Sequence, residues 1–488
     1  MAWTQQFAPQ QGNVASYPSG NNRVQASAST WGSIASGIFL VVSTDGIANG
    51  GSTVFNGGSD YGPDTAGTAT GGIQEALNAI TSGGVVYIKA STSGKQIAPG
   101  KVIFQSGNYQ TVVFEGGCYI KPVTPYDSTV PTNSIGPSII YAGVSSAGVN
   151  YHNCSWIGNG CIIDSANFTS GLSSEPYSIE IEGSGQSVNA GAPYMILVDN
   201  FELINCAETA VQYGNMNGSG YQNTITTAAH QIEISRIYAH SWKSTGTGNY
   251  SNGITTNGSA WQVWVHDCTS DMSTYGTTNS NDYSNCFVYG NQGNAKYILF
   301  ERCNFTGNNK SGQTWEFQGA ANSPTTTVTV GPIHCRQCTF ASGATAGAPL
   351  AGSGGGYIDD TNGGSNGIIN EVWFEDCDFP FTGLSYLSAT TAYGYIRFTG
   401  TGYPGAISGT LDGRSAGQSM AITVGASPFA YVNSDMSDEF VIVDGGTVSA
   451  ITLDGVATGL TGGTFLLQQH HTLSVTYSAA PTMTKIAR

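Results

Sequence analysis

A short phrase of alternating apolar and polar positions recurs along the chain and ends, in most copies, on a cysteine. The copies are Val149–Cys154, Phe201–Cys206, Val263–Cys268, Ile298–Cys303, Ile333–Cys338 and Val372–Cys377, with Ile237–Trp242 as a variant that carries Trp in the last place. Period-two alternation over a short segment predicts a half-buried β-strand. Its recurrence predicts a solenoid in which each turn packs on its neighbours. Cys268, Cys303, Cys338 and Cys377 follow one another at 35, 35 and 39 residues, the length of one three-strand turn with its loops. Counting back from the cysteine, positions −5 and −3 point inward and −4 and −2 outward. The polar residue before the cysteine, Asn153, Asn205, Asp267 or Asp376, is a residue type that tolerates a left-handed corner.

Before the repeats, Ile73, Leu77 and Ile80 share one helical face, and Gly83-Gly84 ends that helix. The strand Val85-Val-Tyr-Ile88 follows at once. This helix and Gly-Gly-Val-Val-Tyr-Ile strand resemble the opening segment of pectin-lyase-like parallel β-helices, a family that includes viral tailspikes. The resemblance implies a right-handed, single-stranded parallel β-helix closed at its N-terminal end by the short helix. Near residue 400 the register changes. Ile422–Asn433, Phe440–Ile451 and Leu473–Met483 outline a compact β module, which resembles a small C-terminal domain of virus and archaeal surface proteins. The expected organisation is an N-terminal arm or particle-attachment segment over 1–70, a β-helix over 71–400 and a C-terminal β domain over 401–488. That last domain would cap, trimerise or dock the coil.

Composition narrows the functional classes. Gly is abundant at 67 residues and charged residues make up only 9%, which favours short strands and turns over long helices. A net charge of −16 with 15 Lys plus Arg excludes a duplex nucleic-acid partner of the ordinary cationic kind. The apolar runs are far shorter than a membrane span, and Met1-Ala-Trp-Thr lacks the pattern of a secretory leader. The ten cysteines lie on apolar strands, as buried small hydrophobes do, and point to assembly in a reducing cytoplasm. Cys335-x-x-Cys338 stands alone, without a second metal-ligand pair, and no cofactor or metal is expected.

Aligned on the cysteine, the −2 column reads His152, Ile204, His240, His266, Glu301, Arg336 and Glu375. The −4 column reads Asn150, Glu202, Tyr238, Trp264, Leu299, His334 and Trp373. Outward aromatics beside polar groups make Tyr238, His240, Trp264, His266, His334, Arg336 and Trp373 the candidate binding residues, suited to sugar rings. The competing expectation is that another protomer or the particle covers this stripe. Glu301 and Glu375, two rungs apart, are the candidate catalytic carboxylates, within reach of inverting-hydrolase spacing if their side chains converge. The bland alternative is a Glu-Arg-Glu surface ladder. The polygalacturonase motifs Asn-Thr-Asp, Gly-His-Gly and Arg-Ile-Lys are absent, as is the basic motif of pectate lyases, so neither chemistry transfers.

Together the coil and its resemblance imply a tailspike-like virion surface protein. It would be homotrimeric and would meet a host surface glycan and other virion proteins, with binding alone and depolymerisation both open. The alternatives are a cellular polysaccharide lyase or glycoside hydrolase, extracellular or at the cell surface, and a non-enzymatic decoration protein of a particle or filament.

Overall fold

In the computed structural model the described residues are 38–46, 59–124, 126–127, 138–143, 151–167, 177–182, 192–206, 209–214, 228–242, 252–274, 285–290, 293–307, 314–318, 328–341, 356–359, 367–369, 371–380, 384–385, 396–399, 407–408, 419–433, 439–468 and 471–487. The segments Gly183–Pro193 and Gly214–Ala229, which their Gly- and Ser-rich sequence predicts as loops, lie mostly outside them, as do Asn150 and most of the expected N-terminal arm.

The coil is a right-handed, single-stranded parallel β-helix with three faces per turn. The first face stacks, among others, Tyr194–Asp199, Ala229–Ser235, Ala260–His266, Ala295–Glu301, Ile333–Arg336 and Val372–Glu375, all in parallel register. The second stacks Phe201–Ile204, Tyr238–His240, Thr269–Asp271, Asn304–Thr306 and Thr339–Ala341. The third is a separate eight-stranded sheet running from Ile103–Phe104 to Gly356–Asp359. Parallel pairing starts earlier than residue 71. Phe39–Ser43 pairs with Val85–Lys89, because Phe-Leu-Val-Val-Ser supplies the alternation of a coil strand. The helix α1, Ile73–Ala79, buries Ile73 and Leu77 against the coil end, as predicted. Gly72 enters it at φ +87°, where a Cβ would stand 2.5 Å from the Gly62 nitrogen.

Two ladders of left-handed residues turn the chain into and out of the first face. The entry ladder is Tyr109, Asn153, Met195, Gln231, Gln262 and Tyr297, and the exit ladder is Asn159, Asn200, Arg236, Asp267, Arg302, Gln337 and Asp376, all with φ between +49° and +59°. The expectation of a left-handed corner at Asn153, Asn205, Asp267 and Asp376 holds at φ 56°, 54°, 54° and 51°. Arg302 and Gln337 show that the stacked backbone imposes this conformation on less tolerant residues too.

All ten cysteines are free and buried. Cys268, Cys303, Cys338 and Cys377 line one interior column, and the rings of Phe305, Phe340 and Phe379 stack beside them at 5.7 and 5.3 Å between centroids. Burial pushes the thiols of Cys154 and Cys206 up to about 12, so they behave as packing groups.

The C-terminal module is built from two four-stranded antiparallel sheets, one containing Glu439–Asp444 and Thr482–Ala487, the other Thr447–Leu453 and Thr472–Ala479. Val441, Val443, Ile451, Leu467, Leu473, Val475 and Met483 form its own core. The three predicted strand segments fall in it. Among the described residues no helix is long and apolar enough to cross a membrane.

Candidate functional site

The register revises the columns read from the phrase. Four copies, Val263–Cys268, Ile298–Cys303, Ile333–Cys338 and Val372–Cys377, stack as expected: Trp264, Leu299, His334 and Trp373 form one outward column and His266, Glu301, Arg336 and Glu375 the next. The copies at Phe201 and Ile237 instead form second-face strands, with Glu202 beside Tyr238 and Tyr238 beside Thr269. Cys154 pairs with Ile196, so His152 stands at the entry edge of the first face. The true counterparts of Val263–His266 in earlier rungs are Ile232–Ser235 and Ile196–Asp199. The physical reason is that first- and second-face strands both alternate with period two and both border a left-handed corner. Phe201 and Ile237 fill the place that cysteine takes in later rungs, which hides the correct register from the sequence.

Six of the seven predicted binding residues fall into three units of one design, and Arg336 stands apart on Glu301. In each, an aromatic ring stacks on an imidazole whose Nε2 faces a carboxylate from a neighbouring rung. Tyr238 lies 4.3 Å from His240, whose Nε2 is 2.9 Å from Glu202. Trp264 lies 3.9 Å from His266, whose Nε2 is 3.2 Å from Glu233. Trp373 lies 4.0 Å from His334 with the rings 1° from parallel, and His334 Nε2 is 3.0 Å from Glu375. The unit follows from strand geometry: alternate residues of one strand, or facing residues of adjacent rungs, share a side at about 5 Å. Tyr238 is 46% exposed, Trp264 and Trp373 are partly exposed, and His334 is buried beneath Trp373.

Ion pairs extend the Trp264 unit into the next two rungs. Arg302 grips Asp267 through Nε and Nη2 at 2.7 and 2.8 Å and reaches Glu301 Oε2 through Nη1 at 2.8 Å. Arg336 Nη2 takes the other Glu301 oxygen. Asp267 also accepts from His266 Nδ1 at 2.7 Å. The Arg302 guanidinium holds the Asp267 carboxyl down at about 2. Burial works against protonation of His266, but its hydrogen bonds to Glu233 and Asp267 outweigh that and raise it above the ordinary imidazole value. Glu301 is almost wholly buried, with both carboxylate oxygens engaged by guanidinium groups. Glu375, on the same column one rung beyond Arg336, faces His334.

A second line of rings went unread in the sequence. Tyr109, His152, Tyr194, His230, Trp261 and Lys296 stack along the entry edge of the first face. His152–Tyr194 and Tyr194–His230 are 4.7 and 4.9 Å apart, and Lys296 Nζ sits 5.3 Å from the Trp261 centroid. Each member precedes a left-handed residue (Tyr109 itself being one), a regularity that marks these positions only once the register is known. The Trp261 and Trp264 indole N–H groups and the Gln262 side-chain carbonyl are shielded from water and meet no hydrogen-bond partner among the described residues. Unmet hydrogen bonds of this kind cost about 1–3 kcal/mol each. Among the described residues no three His, Cys, Asp or Glu side chains converge on a metal position.

No family model and no curated protein matches the chain. Among solved structures it is similar to ORF18 of Geobacillus virus E2, at 12% identity over 91% of this chain and 78% of that one, with a TM-score of 0.33. It is also similar to the tailspike protein of Acinetobacter baumannii phage AM24, at 10% identity over 88% and 83% with a TM-score of 0.34. A third is an iota-carrageenase complexed to iota-carrageenan fragments, at 12% identity, 57% of this chain and a TM-score of 0.27; the chain spans 54% of that enzyme's length.

Proposed function

We propose that the protein is a tailspike-like virion surface protein that binds a host surface polysaccharide along the first and second faces of its coil. The observation that carries this reading is the triple repetition of the aromatic–imidazole–carboxylate unit at Tyr238, Trp264 and Trp373. Stacking fixes each ring, so little side-chain entropy is lost when a sugar packs against it. Rungs about 4.8 Å apart put Trp264 and Trp373 in one first-face column three rungs apart, as an extended polymer requires, and Tyr238 adds a ring on the second face one rung earlier. The C-terminal module supports a docking role. Val432, Val456, Leu460 and Leu466 are exposed apolar side chains on a unit with its own core, surface suited to trimerisation or to contact with other virion proteins.

On this reading Glu301 and Glu375 position neighbouring side chains rather than cleave. Glu301, with both oxygens held by arginines, anchors Arg302 and Arg336, and Glu375 orients His334. A second reading, that another copy of the chain or the particle covers the stripe, is favoured by the exposure of Tyr238. The test is retention of the full-length protein on immobilised host envelope polysaccharide, with release of reducing or unsaturated ends followed in parallel. Retention that Trp264→Ala and Trp373→Ala abolish, without new chain ends, supports the binding reading. Unchanged retention with loss of assembly supports the covered-face reading, and chain ends that vanish in Glu301→Gln or Glu375→Gln would replace both with a depolymerase.

A further inference from the structure

We infer that the polymer this face accepts is uncharged and hydroxyl-rich, and that polyanionic glycans are excluded; this rests on the glycan-binding reading above. The argument is one of charge already spent inside the protein. Arg236 is paired through its Nε with Asp199 Oδ1 at 2.7 Å and through Nη2 with the other oxygen, and Asp199 also accepts from Ser235 Oγ at 2.8 Å. Arg302 and Arg336 are turned onto Asp267 and Glu301. Lys296 lies over the Trp261 ring, and Lys121 is 3.0 Å from Asp164. Arg236, Arg302, Arg336, Lys296 and Lys121 therefore each have a protein partner, and the exposed Lys89 stands five rungs before Trp264, away from the aromatic units. Sulfate and uronate groups are recognised by bidentate arginine and by lysine. Here such a group would have to displace a carboxylate held in that geometry, exchanging one ion pair for another. The net charge of −16 adds long-range repulsion of any polyanion.

The same pairing disfavours a polycation. Glu202, Glu233 and Glu375 face imidazoles, while Asp199, Asp267 and Glu301 are occupied by guanidiniums. What the faces leave on offer beside the aromatic units is mostly hydroxyl and amide. The second-face column next to Tyr238 reads Thr269, Asn304 and Thr339, all partly or fully exposed, and ends on the exposed Asp378. The first face adds the partly exposed Trp264 and Trp373, and the exposed Gln231 stands at its entry corner. Aromatic faces for sugar C–H groups, with amides and hydroxyls for sugar O–H groups, suit a neutral hexose polymer.

The experiment measures binding of the full-length protein to matched polymers that differ in charge alone: dextran with dextran sulfate, and neutral galactan with carrageenan. Polygalacturonate and chitosan are added, and each is measured at low and at high salt. The inference expects binding to at least one neutral polymer, changed by less than about twofold by salt, with its charged counterpart about tenfold weaker. Thr269→Ala with Asn304→Ala should weaken that binding while leaving the melting temperature in place. Binding of a sulfated polymer, uronate or chitosan that falls about tenfold with salt would overturn the inference and leave the glycan reading standing. Binding to none of the polymers nor to host envelope polysaccharide would overturn both.

Discussion

Arg336 closes its guanidinium on the carboxylate of Glu301 one rung earlier, and Arg302 takes the second oxygen of the same carboxylate at 2.8 Å. Glu301 is thus the buried centre of a cluster whose arginines are about one-third to two-fifths exposed. Removing one partner of a buried pair costs about 3–5 kcal/mol, and the partial exposure of the arginines reduces this to about 1–3 kcal/mol. Glu301→Ala is expected to lower the midpoint of denaturant unfolding accordingly, and Glu301→Gln to recover part of the loss. A wild-type midpoint in both variants would contradict the structural role.

The coil's third face gives a test of stacking. A Cβ on Gly253 would stand 1.8 Å from Asn285 Oδ1 and 2.3 Å from the Asn285 carbonyl oxygen. Asn285 is fully buried and donates to the carbonyl oxygens of Ser270 and Thr306, tying adjacent rungs together. Gly253→Ala is expected to cost about 1–3 kcal/mol by overpacking, read as a drop in melting temperature.

Three of the histidines are shifted in opposite directions by their surroundings. His266 is raised by its carboxylate partners despite burial, whereas burial lowers His152 and His230. A raised imidazole contributes stability fully present below its ordinary value near 6.5 and lost as pH rises through the folded value. Asp267, held near 2, contributes stability present above its ordinary value of 3.8 and lost as pH falls toward 2. The cluster therefore contributes most between about pH 4 and 6.5. His152 and His230 carry the opposite sign, since protonating them favours the unfolded chain as pH falls below about 6.5. Imidazole titration followed by NMR should place His266 above and His230 below the ordinary value, and the reverse order would refute the assigned partners.

Much of the fold was legible because it is repetitive. Alternation, the cysteine interval and the Gly83-Gly84 stop predicted the coil, its capping helix and the C-terminal strands. The register was legible only where the cysteine column is continuous, from Cys268 to Cys377. Upstream, Phe201 and Ile237 take the cysteine's place and period-two patterns on two faces become interchangeable, so Tyr238, His240 and His152 were assigned to the wrong columns. Glu233 was missed as a site residue because it lies one rung from His266, 33 residues earlier, and Asp267 and Arg302 because they sit at corners and pair with each other across 35 residues.

The thiols provide a separate check on the interior. All ten are buried and free, so the native protein should show almost no reaction with a chromophoric disulfide reagent, and the guanidinium-unfolded chain should show ten thiols. Fewer than ten after unfolding without reductant would indicate disulfides and contradict the packed-thiol interior.

The central claim is that the aromatic–imidazole units form a glycan-binding face. The most direct measurement is calorimetric titration of the folded protein, and of Trp264→Ala, Trp373→Ala and Tyr238→Ala, with polysaccharide from the host envelope. The account predicts heat of binding for the wild type and at least about a tenfold loss of affinity in each variant, about 1.4 kcal/mol, with melting temperatures close to wild type. Wild-type affinity in all three variants would contradict it.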